Sequence, residues 1–328
     1  MMRKKDLLGL RDMPANEILH LINMAKDEKP KIKNKNLRDD SLKNLSLTTL
    51  FYENSTRTKL SFLLAGEYLG AMADDLNIAT SSVSKGETLI DTGITLDRMG
   101  TNVIVIRHSM VGSASLLAKN VTASVINGGD GSNEHPTQAL LDMFTIQEYK
   151  GRIDGLKVAI LGDIANSRVA RSNIFGLTKL GAKVTLAGPS TLVSNRMETS
   201  LGVTVTNDLK EAIKDADIIM GLRVQLERQK ACNFPSLSEY ARFFGMNSEH
   251  LKYAKDDALI MHPGPVNRGV ELSTDLIDGE RSIIYDQVEN GIAMRMAILK
   301  YLAAASAVET PASVMRLVSG TPSQRIAI

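Results

Sequence analysis

Phe51-Tyr52-Glu53-Asn54-Ser55-Thr56-Arg57-Thr58-Lys59-Leu60-Ser61 marks the point where an apolar, β-branched run gives way to helical spacing. Upstream, Leu45, Leu47, Thr48, Thr49, Leu50, Phe51 and Tyr52 form a short run suited to a buried strand. Downstream, Leu60, Leu63, Leu64 and Tyr68 recur at helical intervals, so Ser55 to Thr58 falls in the first turn of a helix. The first backbone N–H groups of a helix lack internal partners and lie at the positive end of its dipole, which suits this turn to an anion. Ser55, Thr56 and Thr58 add hydroxyl donors, and Arg57 adds a planar fork of N–H groups with a fixed charge. Such a set matches a phosphate carrying about two negative charges. Capping alone would account for Ser-Thr, since both are common at helix starts, but capping requires neither Arg57 nor a third hydroxyl. Asn54-Ser55-Thr56 also matches an N-glycosylation acceptor, which would require a secreted protein.

The rest of the chain argues against secretion. It has one cysteine, Cys232, so no internal disulfide can form, and its Met-Arg-Lys-Lys start is not followed by an apolar signal region. The expected location is the cytoplasm. No window reaches the roughly 18 uninterrupted apolar residues of a membrane helix. Formal net charge is +2, which gives no reason to expect nucleic acid or an anionic membrane as partner, so any anion site must be local. With 328 residues, 43% of them hydrophobic, the chain can build two α/β domains. The Lys-rich stretch from Lys26 to Arg38, interrupted by Asp27, Glu28 and Pro30, reads as a solvated loop.

Taken in order, Pro14 to Lys26 predicts an amphipathic helix with Ile18, Leu21, Ile22 and Ala25 as its apolar stripe. Ile78 to Glu87 is rich in hydroxyls and carries Lys85 beside Gly86, a mobile polar loop able to bring a charge to an anion. Glu87 to Met99 is helical in pattern, and Asn102 to Ile106 is a short strand ending at Arg107-His108, where α/β sheets place ligands. Gly112 to Ala118 predicts a helix and Val121 to Ile126 a strand. The Gly- and Asn-rich segment from Asn127 to Gln138 reads as a loop opening into the helix Ala139 to Tyr149. His135 and Gln138 share a face at that helix start. Three strand ends thus deliver polar groups suited to one active site.

Gly151 to Gly155 reads as a domain boundary, after which Leu156 to Asp163 starts a second sheet. The loop Ile164 to Ser167 leads into a helix beginning near Arg168. A dinucleotide-dependent oxidoreductase is disfavoured, because only Gly162 stands where a G-x-G-x-x-G turn is required. Further βα units run through Ala182 to Ala187 and Ile213 to Met220, the latter followed by Arg223 and then by Glu227 and Arg228, a local ion pair of little worth. Ala258 to Met261 is a short strand before His262-Pro263-Gly264-Pro265, whose prolines stiffen the loop. A long helix is expected from Asp286 to Ala305, with a peripheral tail after Pro311.

These motifs resemble those of the transcarbamylases over nearly the whole chain. Ser55-Thr56-Arg57-Thr58 and His135-Pro136-Thr137-Gln138 resemble the two motifs shared by that superfamily. Ser81 to Glu87, Arg168, Leu222-Arg223-Val224-Gln225 and His262-Pro263-Gly264-Pro265 resemble its aspartate branch. An ornithine enzyme would show Ser-Met-Gly in the second domain and His-Cys-Leu-Pro near residue 262, and neither is present. Many members of the aspartate branch have Leu where this chain has Gly264, so only the backbone role carries over there.

The resemblance implies an α/β fold of two domains, each a parallel β-sheet flanked by helices. Residues 1–150 with the C-terminal helix 286–307 would bind carbamoyl phosphate, residues 151–285 would bind aspartate, and 308–328 would be peripheral. It implies carbamoyl transfer from carbamoyl phosphate to the α-amino group of L-aspartate in pyrimidine biosynthesis, with neither metal nor organic cofactor. Ser55, Thr56, Arg57, Thr58 and Arg107 would hold the phosphate. Thr56, Arg107 and His135 would polarise the carbonyl. Gln138 and the backbone of Pro263, Gly264 and Pro265 would take the carbamoyl NH₂. Arg168 and Arg223, with Gln225, would bind the two carboxylates of aspartate. Ser81 and Lys85 would enter from a neighbouring subunit of a homotrimer. Association of trimers with regulatory chains or dihydroorotase is left open, as are a transcarbamylase for another amino acid and a catalytically silent homologue.

Overall fold

In a computed structural model, which describes residues 5–34, 39–225 and 236–306, the run upstream of Ser55 forms strand β1 (Ser46–Phe51) and the segment after it helix α2 (Thr56–Tyr68). Phe62 and Ala65 of α2 are fully buried, and the helix packs back on its own strand as a right-handed βαβ unit requires. Strands β2 (Met72–Leu76), β3 (Val103–His108) and β4 (Ser124–Asp130) complete a first parallel sheet in the order β2-β1-β3-β4. The central strand β3 is buried on both faces from Val103 to Ile106, which explains its continuous Val and Ile run. Helices α2, α3 (Leu89–Arg98) and α4 (Ser113–Ala118) supply the crossovers, and α5 (Pro136–Lys150) leads from β4 to the second sheet.

The second sheet is also parallel, in the order β7-β6-β5-β8-β9, from β5 (Lys157–Leu161), β6 (Lys183–Ala187), β7 (Thr204–Thr206), β8 (Ile218–Gly221) and β9 (Leu259–Met261). Its helices are α6 (Arg168–Lys179), α7 (Arg196–Leu201), α8 (Leu209–Ile213), α9 (Leu237–Phe244) and α10 (Thr274–Ile277). The final helix α11 (Ile284–Ser306) returns to pack on α1 (Ala15–Lys33), α2 and α5. One apolar core runs from α1 through α5, α6 and α11 into the second sheet. Among the described residues no helix is long and apolar enough to cross a membrane.

Several expectations are corrected. The stretch expected as a loop from Lys26 is helical as far as Lys33, because its charges are paired: buried Lys29 donates to Glu148 at 2.6 Å, and buried Glu28 accepts from Lys31 and Lys300 at 2.8 and 2.7 Å. The segment expected as a loop from Asn127 is still strand as far as Asp130, all of it buried. Ile213 closes α8, and the strand expected there begins only at Ile218. Ile78 to Lys85 folds into two short 3-10 turns. Edge strands β2 and β7 were not anticipated. Glu227, Arg228, Cys232 and the tail lie outside the described residues.

Candidate active site

The carboxyl ends of both sheets open into one cleft of about 1180 Å³, the position where parallel α/β sheets bind ligands. At the start of α2, Ser55 takes the N-cap position in an extended conformation, yet its hydroxyl makes no cap bond. The turn is therefore left open towards the cleft, which Ser55, Thr56, Arg57 and Thr58 all line. Burial, and then repulsion from Arg223, hold the Arg57 pKa below its ordinary value. The guanidinium lies so close to Gly264 that a Cβ there would stand 2.8 Å from Cζ. Gly264 also has φ of 66°, a region that side chains disfavour.

Arg107, at the end of β3, and Arg168, at the start of α6, approach the same carboxylate. Glu53 Oε2 accepts from Arg168 Nη2 at 2.6 Å and pairs with Arg107 Nε at 3.5 Å. Arg168 is only 3% exposed, so this partner largely determines where its guanidinium points. It rests on Gly129, where φ is 119° and a Cβ would come within 2.7 Å of Nε.

Helix α5 presents a second N-terminus without a side-chain cap, at His135. The backbone N–H of His135 donates to Ser172 Oγ at 2.9 Å, and Thr137 Oγ1 lies 3.4 Å from its Nδ1. Below it, Glu134 accepts from Leu10 N at 2.7 Å and from Ser172 Oγ at 2.9 Å, tying the N-terminal segment and α6 to this helix start. Burial raises the Glu134 carboxyl pKa against those bonds. One turn along, Gln138 Nε2 donates to Asp142 Oδ1 at 2.9 Å.

The second sheet contributes Arg223 and Gln225 after β8, and the Pro263–Pro265 loop after β9. Asp163 Oδ2 accepts from Gln225 N at 3.3 Å and Oδ1 from Asn166 Nδ2 at 2.9 Å, which joins the loops after β5 and β8. The β9 loop is braced by His262, whose N donates to Gln287 Oε1 at 2.9 Å and whose Nδ1 accepts from Gly264 N at 2.8 Å. Burial, with Arg57 and Arg223 nearby, lowers the His262 pKa although Glu271 opposes it.

All the residues anticipated from the sequence line this cleft except Ser81 and Lys85. Ser81 caps a 3-10 turn, accepting from Val83 N, and Lys85 is exposed. Two contributors were missed. Glu53 carries a readable signal, a carboxylate at a strand end beside Ser-Thr-Arg, whereas Asn166 has none beyond its place in a polar loop.

A cleft walled by two parallel α/β sheets and lined by four arginines defines an enzyme site for anionic substrates. Residues 5–148 match the carbamoyl-phosphate-binding domain of aspartate/ornithine carbamoyltransferases, and residues 154–302 match the aspartate/ornithine-binding domain. The chain belongs to the aspartate/ornithine carbamoyltransferase family. It is 62% identical over 301 residues to the aspartate carbamoyltransferase catalytic subunit of Acetivibrio thermocellus, an alignment covering 92% of this chain and 96% of that protein. Its structure is similar to that of Trypanosoma cruzi aspartate transcarbamoylase in complex with N-(phosphonacetyl)-L-aspartic acid, with a TM-score of 0.82 and 31% identity over 91% of this chain and 95% of that one. It is also similar to ornithine carbamoyltransferase from Pyrococcus furiosus, with a TM-score of 0.80 and 34% identity over 90% and 96% of the two chains.

Proposed function

We propose that the chain is an aspartate carbamoyltransferase catalytic subunit, joining carbamoyl phosphate and L-aspartate into N-carbamoyl-L-aspartate and phosphate for pyrimidine synthesis. The observation that carries this is the set of four arginines in one cleft, Arg57 and Arg107 from the first sheet and Arg168 and Arg223 from the second, with Glu53 the only acidic residue of the lining among the described residues. A phosphate dianion and a dicarboxylate together bring about the charge these cations require, whereas a cationic ornithine side chain would be repelled.

In this reading the uncapped turn of α2 takes the phosphate, with Ser55, Thr56, Arg57, Thr58 and Arg107 stabilising it as the leaving group. Thr56, Arg107 and His135 stabilise the oxyanion as the neutral aspartate nitrogen attacks the carbonyl carbon; the C–O bond to phosphate then breaks and one proton of that nitrogen leaves with the phosphate. Gln138 and the Pro263–Pro265 backbone hold the carbamoyl NH₂. Arg168 takes the α-carboxylate and Arg223 the β-carboxylate, assisted by Gln225. Binding both substrates between two sheets supplies proximity, and no metal or organic cofactor is called on.

The active unit is a homotrimer with shared sites. Lys85 and Ser81 lie outside their own chain's cleft, as residues acting on a neighbour's cleft would. Residues 1–150 with 286–307 form the carbamoyl-phosphate domain and 151–285 the aspartate domain. A cytoplasmic location accords with one cysteine in 328 residues.

The decisive experiment supplies purified protein with carbamoyl phosphate and either L-aspartate or L-ornithine, following carbamoylated product and phosphate together. Carbamoyl-aspartate alone supports the reading. Citrulline would overturn the paired-arginine argument, and no product from a folded trimer would point to a missing partner or a silent homologue.

A further inference from the structure

Gln138 can bind a carbamoyl NH₂ in only one of its two amide orientations. Presented as Oε1 it accepts from an NH₂, and presented as Nε2 it opposes donor with donor. The two orientations have nearly the same shape, so packing alone does not choose between them. We propose that Asp142 makes the choice, acting as a positioning residue that sets the hydrogen-bond polarity of the carbamoyl end of the cleft. This inference rests on the reading of carbamoyl phosphate as substrate.

Asp142 lies one helical turn after Gln138 on α5 and is fully buried. An ionised carboxylate can only accept, so each amide that meets it must do so with nitrogen. Its Oδ1 accepts from Gln138 Nε2 at 2.9 Å and from Gln287 Nε2 at 2.7 Å, and its Oδ2 accepts from Asn173 Nδ2 at 2.8 Å. With the Gln138 nitrogen occupied, its Oε1 is the atom left for the cleft. With the Gln287 nitrogen occupied, its Oε1 takes the His262 N–H at 2.9 Å, and the His262 ring in turn accepts from Gly264 N. The same carboxylate therefore orients both the side chain and the loop that close on the carbamoyl NH₂.

A buried charge without a partner would not be retained in the ionised form. The groups facing Asp142 are Gln138 on its own helix, Asn173 on α6, and Gln287 and the cationic Arg295 on α11. Burial pushes its pKa up to about 6, while the three amides and Arg295 oppose that rise. Arg295, equally buried, is lowered to about 10 and remains charged. Asp142 is thus an anion at neutral pH and becomes a possible donor as pH falls through about 6.

Acetyl phosphate, with CH₃ in place of NH₂, is the probe that separates positioning from folding. Dissociation constants for carbamoyl phosphate and acetyl phosphate are measured on the wild type, Asp142→Asn, Gln138→Ala and the double variant. Losing one well-aligned acceptor should weaken carbamoyl phosphate about tenfold in Asp142→Asn and leave acetyl phosphate within about twofold. The double variant should be no worse than Gln138→Ala, since Asp142 acts through Gln138. Equal weakening of both ligands, multiplying effects, or no change would overturn the proposal.

The wild type carries the test independently should Asp142→Asn fail to fold. The ratio of the two constants cancels the ionisation of the shared phosphate. That ratio should narrow as pH falls through about 6, and stay flat in Gln138→Ala. A flat wild-type ratio refutes the inference. A wild type that binds neither ligand removes the functional reading as well, whereas retained discrimination in Asp142→Asn removes this inference alone.

Discussion

Replacing Glu53 by Gln tests whether its carboxylate positions the arginines of the cleft. Oε2 sits 2.6 Å from Arg168 Nη2 and 3.5 Å from Arg107 Nε. At an effective dielectric of about 20, a unit charge about 4 Å from another contributes roughly 4 kcal/mol. Glu53 and Arg107 keep side-chain exposures of 22% and 17%, so solvent screens part of that, and Gln still offers an oxygen to Arg168. A net loss of about 2 kcal/mol remains, equivalent to roughly 30-fold in an equilibrium or rate constant.

The loss should fall on aspartate. Arg168 is the buried partner with the short bond, and once the charge is removed it faces Arg107 with less to hold it. The charge lost at Glu53 falls mainly on Arg168, bonded at 2.6 Å, so Arg57 and the open turn of α2 keep the phosphate. Steady-state kinetics with saturating carbamoyl phosphate should show kcat/KM for aspartate down by roughly 30-fold. The carbamoyl phosphate dissociation constant should move less than about threefold. Tighter aspartate binding in Glu53→Gln would refute the argument, because it would mean that Glu53 competes with substrate for Arg168. Carbamoyl phosphate losing as much as aspartate would refute it too.

Gly264→Ala should weaken carbamoyl phosphate by about tenfold or more in a titration, since its Cβ would meet the Arg57 guanidinium and its backbone would be strained at φ of 66°. Arg223→Met should reduce kcat/KM for aspartate by about a thousandfold through loss of a charge-assisted pair, with phosphate-analogue binding largely kept; unchanged aspartate kinetics would sink its assignment. Mixing inactive Arg57→Ala with inactive Lys85→Ala and reassembling trimers should restore activity, because some hybrid sites receive both native residues, while a mixture that stays dead argues against shared sites. Lys29→Met should lower stability by about 1–2 kcal/mol without changing kcat, read by thermal unfolding. Burial pushes the Glu148 carboxyl pKa up, but Lys29 and Asn290 bonds and the Lys29 and Lys33 charges bring it below its ordinary value. The stabilisation is therefore present above the ordinary glutamate pKa of 4.5 and lost as pH falls through the lower folded value, so wild type and Lys29→Met should converge in acid.

What the sequence made legible is what local burial imposes. The passage from β1 to α2 could be read because an alternating or continuous apolar run and a helical repeat leave distinct spacings over ten residues. Edge strand β2, Met-Ala-Asp-Asp-Leu, has no such mark, since its Asp75 is matched by Thr49 of β1 at 2.6 Å and Lys59 of α2 at 2.8 Å. The last turns of α1 were hidden for the same reason: Lys29 finds Glu148 and Glu28 finds Lys300, partners more than a hundred residues away. Motif residues at strand ends were legible as chemistry, and Glu53 beside them could have been read from its place in the motif, whereas Asp142, in the middle of α5, looks in sequence like an ordinary polar position.

The arrangement of the arginines carries a further consequence. Gly129, in the first sheet, leaves the space that Arg168 of the second occupies, and Gly264, beyond the second sheet, leaves the space for Arg57 of the first. Glu53 then joins Arg168 to Arg107 across the same cleft. Each sheet thus seats a cation supplied by the other, so neither half holds a complete anion site alone. Any relative shift of the two that opens one of these glycine contacts displaces a guanidinium at once, because a van der Waals contact is lost within an ångström. The phosphate and the dicarboxylate are accordingly bound by one geometry, and a change far from either ligand that alters how the two sheets meet will act on both.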